Sequence, residues 1–478
     1  WIMAYTTIDK PTDYFNTILY TGDGNNSRAV TGTGFQADWV WLKDRGTKSG
    51  SSNNYHHQTF DSVRGASGGA LYTSLNNPED TSYPISSFDS NGVTLRATSH
   101  DSQNESGEAF VLWNWLAGGT APTQTYTVKV VSDSGNKYRF DDFGTSAVTL
   151  DLQEGGTYTF DQSDSSNSGH PLRFSTTSDG THGGGSEFTT NVTTTGTPGS
   201  AGAKTVITLG SGVATLYYYC TQHSGMGGQA NTNSTFGSSN FSGSIQANVS
   251  ANTTAGFSIV SYTANGTAGA TVGHGLGVAP DVMFIKNRDN TGGGGTESWL
   301  VYHKSLGAHY KAASLDSNTT SHDHPDYFND TEPTSSVFSL GGGDNGNNSG
   351  EKNIAYCFTD IKGFAKHGSF IGNGSSDGPF IHTGFKPALI IGKNTSRSDD
   401  WFMLDNKRDT FNPVDQRLQP NSSGTESTVT SLGIDFCANG FKLKGSTNQY
   451  NPSGETMIYM AFAESPFVNS NGVPTNAR

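Results

Sequence analysis

Near the middle of the chain, the run Tyr217-Tyr218-Tyr219-Cys220-Thr221-Gln222-His223-Ser224-Gly225-Met226 sets a thiol, an imidazole and a thioether three residues apart, and Gly169-His170-Pro171 lies upstream. A strand ending at Cys220 can turn so that the thiolate, the His223 ring and the Met226 sulfur meet at one point. His170 would arrive there from another strand. Two imidazoles and a thiolate in a plane, with a weak axial thioether, are donors that suit copper cycling between its two oxidation states. His182 is a rival for the first imidazole position. Two roles stay open for such an ion. Electron transfer needs an exposed imidazole edge and a redox partner, whereas a staple has only to close the loop end. A sandwich that keeps these loop residues without binding metal is a third reading.

The elements that position these residues are short strands. Segments 125–131, 147–152, 156–160, 171–175, 204–209 and 214–220 alternate or concentrate apolar residues between Gly and Ser clusters at hairpin-like spacing. They lie inside a longer pattern. The same succession of signals occurs three times, opening at 15–24, 257–266 and 364–374 with a strand and a Gly-rich turn. An apolar strand ending in Lys follows (34–45, 275–288, 384–394), then a strand with an aromatic residue and a polar exit (from Thr59, Trp299 and Trp401). A Phe88–Leu95 segment is matched at 436–443 and more loosely at 337–340. Ser-Gly-Glu and an apolar strand close each copy (106–115, 349–358, 453–462). Phe257 to Phe364 spans 107 residues whereas Phe15 to Phe257 spans 242, so an unrelated domain is inserted between the first two copies.

The expected organisation is all-β: residues 1–122 as a first β-sandwich repeat, 123–235 as the insert, 236–255 as an Asn/Ser/Thr-rich linker with room for one strand at 243–249, 256–362 as repeat two and 363–478 as repeat three with a tail. Antiparallel sandwiches of jelly-roll or lectin-like type are expected for the repeats. Trp39 and Trp41 could form a sugar-stacking platform. Their counterparts Val282 with Phe284 and Leu389 with Ile391 are apolar, which assigns them to a core instead. Likewise Trp113 corresponds to Tyr356 and Met460, and Trp115 to Phe358 and Phe462. Cys357 and Cys437 have no cysteine counterpart in the other copies and read as unpaired structural thiols.

Several motifs read more simply as turns. Gly65-Ala66-Ser67-Gly68-Gly69 formally fits a nucleophile elbow, which requires a strand-turn-helix in a parallel sheet. The Ser-Gly-Glu corners read as turns before closing strands, so no enzyme is expected. Asp89-Ser90-Asn91-Gly92 and the 341–351 loop carry oxygen ligands enough for calcium, with Asx-turn chemistry as the plainer account. Asn-x-Ser/Thr triplets at Asn104, Asn191, Asn252 and Asn318 follow from composition. With 32% hydrophobic and 15% charged residues and a net charge of −14, the chain lacks the basic stripe that nucleic acid demands. No apolar run suits membrane insertion. Met3-Ala-Tyr-Thr-Thr reads as a natural start.

The copper loop Cys220-x-x-His223-x-x-Met226 with His170 resembles that of the cupredoxin family. Over about residues 124–230 this resemblance implies a Greek-key antiparallel sandwich with His170, Cys220, His223 and Met226 as ligands to copper. The rest of the chain resembles virion structural proteins of tailed bacteriophages, especially those of marine cyanobacteria. The phrases carrying that likeness are MAYTTIDKPTDYFNTILYTGDG (3–24), VSANTTAGFSIVSYTANGTAGATVGHGLGVAPD (249–281), FIGNGSSDGPFIHTGFKPALIIGKN (370–394), ANGFKLKGS (438–446) and IYMAFAESPF (458–467). It implies a particle-exterior structural component such as a tail fibre, made in the host bacterial cytoplasm. Partners would be further copies, other virion proteins and a host-surface glycan or receptor. A copper electron carrier with the repeats as scaffold, and a capsid decoration or cement protein, are the alternatives.

Overall fold

The computed structural model describes residues 5–46, 55–96, 102–289, 297–306 and 311–475; Met3 lies outside them. The longest apolar runs of the three copies become the strands Trp39–Asp44, Val282–Asn287 and Phe385–Asn394, buried along almost their whole length. Such a run is what a strand covered on both faces requires. Each sits third in an antiparallel sheet of the same order. Unit 1 runs Phe15–Thr21, Ala109–Trp115, Trp39–Asp44, Gln58–Asp61. Unit 2 runs Phe257–Thr263, Lys352–Phe358, Val282–Asn287, Leu300–His303, and unit 3 runs Ala365–Ile371, Thr456–Pro466, Phe385–Asn394, Phe402–Asp405. The register fixes the equivalence: Phe15 faces Trp115, Phe257 faces Phe358 and Ala365 faces Phe462. The third copy thus opens at Ala365, one residue later than its Phe364 suggests.

One face of each large sheet is covered by a small one. In unit 1, Arg28–Thr31, Gly92–Leu95 and Ser87–Asp89 enclose Val40, Leu42, Phe60, Phe110 and Leu112. In unit 2, Ala270–Gly273 and Val337–Leu340 enclose Met283, Ile285, Ala355 and Cys357. Phe380–His382, Gly440–Leu443 and Ile434–Cys437 form the small sheet of unit 3.

The opposite faces meet one another. Trp39, Trp41, Trp113 and Trp115 share one continuous core with Phe257, Phe284, Tyr356 and Phe358 and with Leu389, Ile391, Met460 and Phe462. The Trp39 ring stacks 4.5 Å from Tyr356, Phe15 lies 5.3 Å from Phe462, and Phe358 lies 5.8 Å from Phe462. Each such aromatic pair adds about 0.5–1.5 kcal/mol beyond its buried area. The tryptophans are core residues, as their counterparts predict, but the core is common to three units as well as internal to each. Three like units packed around one centre have the arrangement of a closed trimer made within one chain.

Polar bonds close the ring in one sense. Tyr356 Oη of unit 2 donates to Asp61 of unit 1 at 2.7 Å, and Trp113 Nε1 of unit 1 donates to Asp405 of unit 3 at 3.1 Å. His303 of unit 2, equivalent to Asp61 and Asp405, bonds the Tyr459 carbonyl of unit 3 at 3.2 Å. Glu79 joins Arg64 of its own unit at 2.9 Å and Arg288 of unit 2 at 2.7 Å, while Glu426 joins Arg408 of its own unit at 3.0 Å and Arg45 of unit 1 at 2.7 Å. Among the described residues the third junction shows no such bridge. There the Thr395 carbonyl accepts from Ser321 N at 3.3 Å and Oγ at 3.2 Å.

The insert has its own core of Tyr126, Val128, Tyr138, Phe140, Leu150, Phe160, Phe174, Tyr218 and Cys220 between two sheets. One is ordered Asn136–Phe140, Thr123–Ser132, Thr157–Asp161, Lys204–Thr208, Val192–Thr195; the other Leu150–Gln153, Gly228–Asn233, Leu216–Cys220, Leu172–Ser175. All six expected segments contain strands. Most of its strand pairs are antiparallel, while Leu150–Gln153 runs parallel to Gly228–Asn233 and Thr157–Asp161 runs parallel to Thr123–Ser132. The stretch read as a linker over 236–255 is also folded. Ser238–Asn240 and Ala247–Asn252 are strands, the second pairing antiparallel with Phe257–Thr263 from Ala247 opposite Tyr262 to Asn252 opposite Phe257, and Phe241 enters the insert's core. Among the described residues no helix is long and apolar enough to cross a membrane.

Candidate metal centre

The strand Leu216–Cys220 pairs antiparallel with Leu172–Ser175, setting Leu172 opposite Cys220, so the residues just before one strand and just after the other gather at the same end of the sheet. That is where His170 and the loop to Met226 stand. Three bonds fix the turn. Gly225 N donates to Asp179 Oδ1 at 2.9 Å, Tyr138 N donates to the Met226 carbonyl at 3.0 Å, and Lys137 Nζ reaches the Gly225 carbonyl. Gly227 allows the chain to turn back, since a Cβ there would lie 1.7 Å from the Tyr218 carbonyl oxygen. His170 is set by its own backbone: its N–H donates to Asn167, and its carbonyl accepts from Tyr138 Oη and from Gln162 Nε2, each at 2.9 Å.

The result is convergence. Cys220 Sγ lies 3.9 Å from His170 Nδ1 and 3.7 Å from His223 Nδ1, and the two imidazole centroids are 4.6 Å apart. Ligand atoms of His170, Cys220 and His223 all lie within 4.8 Å of one another. Bond lengths of about 2.3 Å to sulfur and 2.0 Å to nitrogen, opened to a trigonal angle, would separate S and N by about 3.7 Å. The donor set therefore fits one shared ion. Met226 is buried in the same core as Cys220. Cys220 is buried, His170 half-buried and His223 exposed. Burial, and then the neighbouring His223, lower the His170 pKa, which favours the neutral ring a metal needs. Burial and the adjacent Cys220 sulfur keep Tyr138 protonated. His182 stands elsewhere. Its Nε2 bonds the Cys220 carbonyl at 3.0 Å, so it supports the strand end and leaves the first imidazole position to His170.

A second cluster escaped the sequence. Asp281, Asp360 and His367 bring ligand atoms within 4.8 Å at the passage from unit 2 to unit 3. Lysines already supply the positive charge: Lys304 lies 2.9 Å from both Asp281 and Asp360, and Lys366 lies 2.5 Å from Asp360. Although burial opposes it, His367 and these lysines hold Asp360 well below the usual carboxylate range. This is an ion-pair hub. The repeated Asp before a buried strand, Asp38 in unit 1 and Asp281 in unit 2, was the available signal.

The remaining motifs are engaged by bonds and turns within the fold. Gly65–Gly69 turns between antiparallel strands without a following helix, and both Asp89 oxygens accept hydroxyls, from Ser87 and Thr94, each at 2.7 Å. In the 341–351 loop, Asn347 donates to the Thr267 and Gly341 carbonyls. The Ser-Gly-Glu corners place Gly107, Gly350 and Gly454 at positive φ of 84°, 84° and 75°. Cys357 is buried and Cys437 half-buried, both unpaired.

Over residues 10–139 and 229–466 the chain matches the family described as Domain of unknown function (DUF7483). The chain belongs to that family. Residues 140–228, between the matched stretches, carry His170, Cys220, His223 and Met226, so the centre lies outside the part that the family model covers. No curated protein and no solved structure matches the chain.

Proposed function

We propose that this chain is a non-enzymatic structural protein of a bacteriophage particle's exterior, a tail fibre or similar component, whose cupredoxin-like insert holds one copper ion through His170, Cys220, His223 and Met226. The copper reading is carried by the convergence of the two Nδ1 atoms on Cys220 Sγ at 3.9 and 3.7 Å. When bound, copper would supply a one-electron couple and a tie across the loop end. The chain's own residues hold the donors in place: Asn167 and Gln162 fix His170, and Tyr138 braces both His170 and Met226 through their carbonyl oxygens.

The particle reading is supported by the phrasing shared with virion proteins and by a body in which three sheets bury one another, leaving loop-rich ends outward. Further copies, other virion proteins and a host glycan or receptor are the proposed partners. Imaging the intact particle and locating this chain tests it. Density on the exterior supports the reading, whereas absence from the particle contradicts it. The exposed His223 ring favours a second reading, a copper electron carrier, because an electron must leave through an accessible imidazole edge. Blue colour and a reversible one-electron titration would favour the carrier. Host-cell binding that survives Cys220→Ser favours the structural role. A decoration protein binding only the shell is the third reading, and the same imaging separates it from a fibre.

A further inference from the structure

The turn after the fourth strand of the core sheet leaves a groove against the small sheet at the same place in units 1 and 3, a cavity of about 410 Å³ in the first and about 380 Å³ in the third. The strands fix the equivalence. Ser62, Gly65 and Ser67 of unit 1 correspond to Asn406, Asp409 and Phe411 of unit 3, and Ser87 and Phe88 correspond to Asp435 and Phe436. In unit 1 one wall is the chain leaving the insert: Ser234, Thr235 and Phe236 line the groove, and Phe236 N donates to the Ser62 carbonyl at 2.9 Å. Thr235 packs so closely on Gly65 that a Cβ there would lie 2.7 Å from its Cγ2. The rest of that lining carries no charge.

Unit 3 builds the same groove from its own residues alone. Asp409 holds the place of Gly65, so a side chain takes the room that a peptide uses in unit 1, and among the described residues nothing donates to the Asn406 carbonyl. Phe411 stands 82% exposed as one wall, and Asp409, Asp435 and Lys386 line the groove half-buried. The frame is fixed, because Asn412 Oδ1 accepts from Phe436 N at 2.9 Å and its Nδ2 donates to the Phe436 carbonyl at 3.1 Å, tying the turn to the small sheet. The charges are in large part answered: Lys386 lies 2.7 Å from Glu464, Asp435 lies 3.8 Å from Lys444, and Asp409 accepts from Asp415 N at 2.8 Å. What is left over is a set of carboxylate oxygens able to accept further bonds, beside a bare aromatic ring. A single exposed apolar side chain is ordinary. One that walls a concave, ligand-sized site with a few fixed polar groups has the composition of a small-molecule site.

We propose that the unit 3 groove binds a neutral sugar residue, whose C–H face lies on the Phe411 ring and whose hydroxyls donate to Asp409 and Asp435. Hydroxyl bonds to ionised carboxylates are the strong kind. The two carboxylates disfavour an anionic ligand, and Asp409 occupies the seat that an extended peptide would need. The site rests on the particle reading for the source of the sugar, a host glycan. Binding by the purified chain is measured apart from the chain's place on a particle, so either can fail alone.

Saturation-transfer NMR on the full chain with the methyl glycosides of glucose, galactose, mannose and N-acetylglucosamine tests it. The expected result is transfer to the ring C–H protons of at least one glycoside, with its dissociation constant raised at least tenfold in Phe411→Ala and in Asp435→Asn. Phe411 is exposed, so its truncation spares the fold. Binding should be unchanged in Phe380→Ala, an exposed aromatic outside the groove, and in Cys220→Ser at the metal centre. No transfer to any of the four glycosides would overturn the proposal, as would transfer that both groove variants leave unaltered. Tighter binding of a synthetic peptide of residues 233–237 than of every glycoside would also overturn it, in favour of a peptide seat.

Discussion

The three-unit body and the insert spend their polar residues in opposite ways. In the body, Arg64 with Asp61 and Arg408 with Asp405 are wholly buried ion pairs, each inside its own unit, and the two carboxylates accept Tyr356 Oη and Trp113 Nε1 from neighbouring units, so charge serves to register similar sheets. In the insert, His170, Cys220 and His223 gather at the end of a sandwich, with the outermost ring facing solvent. The body's groups are saturated by protein partners; the insert's converge without such saturation. That contrast separates residues that hold a fold from residues arranged for something that binds.

Breaking the body should cost most. Glu79→Ala leaves Arg64 and Arg288 facing each other at the junction of units 1 and 2, and losing one partner of a buried ion pair costs about 3–5 kcal/mol. Calorimetry should show the three units' shared transition falling while the insert's transition stays in place. Independent melting of unit 1 alone would count against a common core.

The junction between the two regions should respond to pH. Asp38 is buried at the exit from unit 1, accepting from Ala117 N at 2.7 Å, Gly119 N at 3.2 Å and Ser62 Oγ at 3.1 Å. Burial pushes its pKa up to about 7, with Asp61 adding to the rise against those hydrogen bonds. The folded chain then keeps a proton that the unfolded chain releases above about pH 4. Stability from this group is full below that value and is lost as pH climbs toward 7, by roughly 1–4 kcal/mol. Chemical denaturation at pH 4.5, 5.5 and 7 should show the decline, and Asp38→Asn should flatten it; a slope unchanged in the variant would assign the effect elsewhere.

The insert should answer to metal alone. Copper at a hundredfold excess over its dissociation constant adds about 2.7 kcal/mol to whatever binds it. The insert's melting temperature should rise with copper and the body's should not, and Cys220→Ser should abolish the rise. The smallest effect is expected at His182. Since its ring supports the Cys220 carbonyl, His182→Ala should change copper affinity far less than His170→Ala in parallel titrations.

The units were legible because their apolar positions recur in order, and the register confirms Trp113 with Tyr356 and Met460. The shared core was less so. Reading Trp39 and Trp41 at period two finds one face, yet Val40 and Leu42 between them are apolar as well. The unbroken run was the sign of a sheet covered twice. Composition blurred the Ala247–Asn252 strand, which the sequence places at 243–249, because a strand of Asn, Ser and Ala with only Ser238–Asn240 beyond it carries little apolar signal. The metal donors stood out since three of the four fall within seven residues. Asp281, Asp360 and His367 did not, because Asp281 stands far before the other two and only the fold brings it to them.

We propose that His170, Cys220 and His223 form one copper centre in the insert. Its most direct test is to titrate the purified full chain with copper(II) and follow the visible thiolate-to-copper charge-transfer band. The expected result is an intense band that saturates at one equivalent, is absent in Cys220→Ser and is weakened or shifted in His170→Ala. A chain that develops no band, or one whose band persists without the Cys220 sulfur, would contradict it.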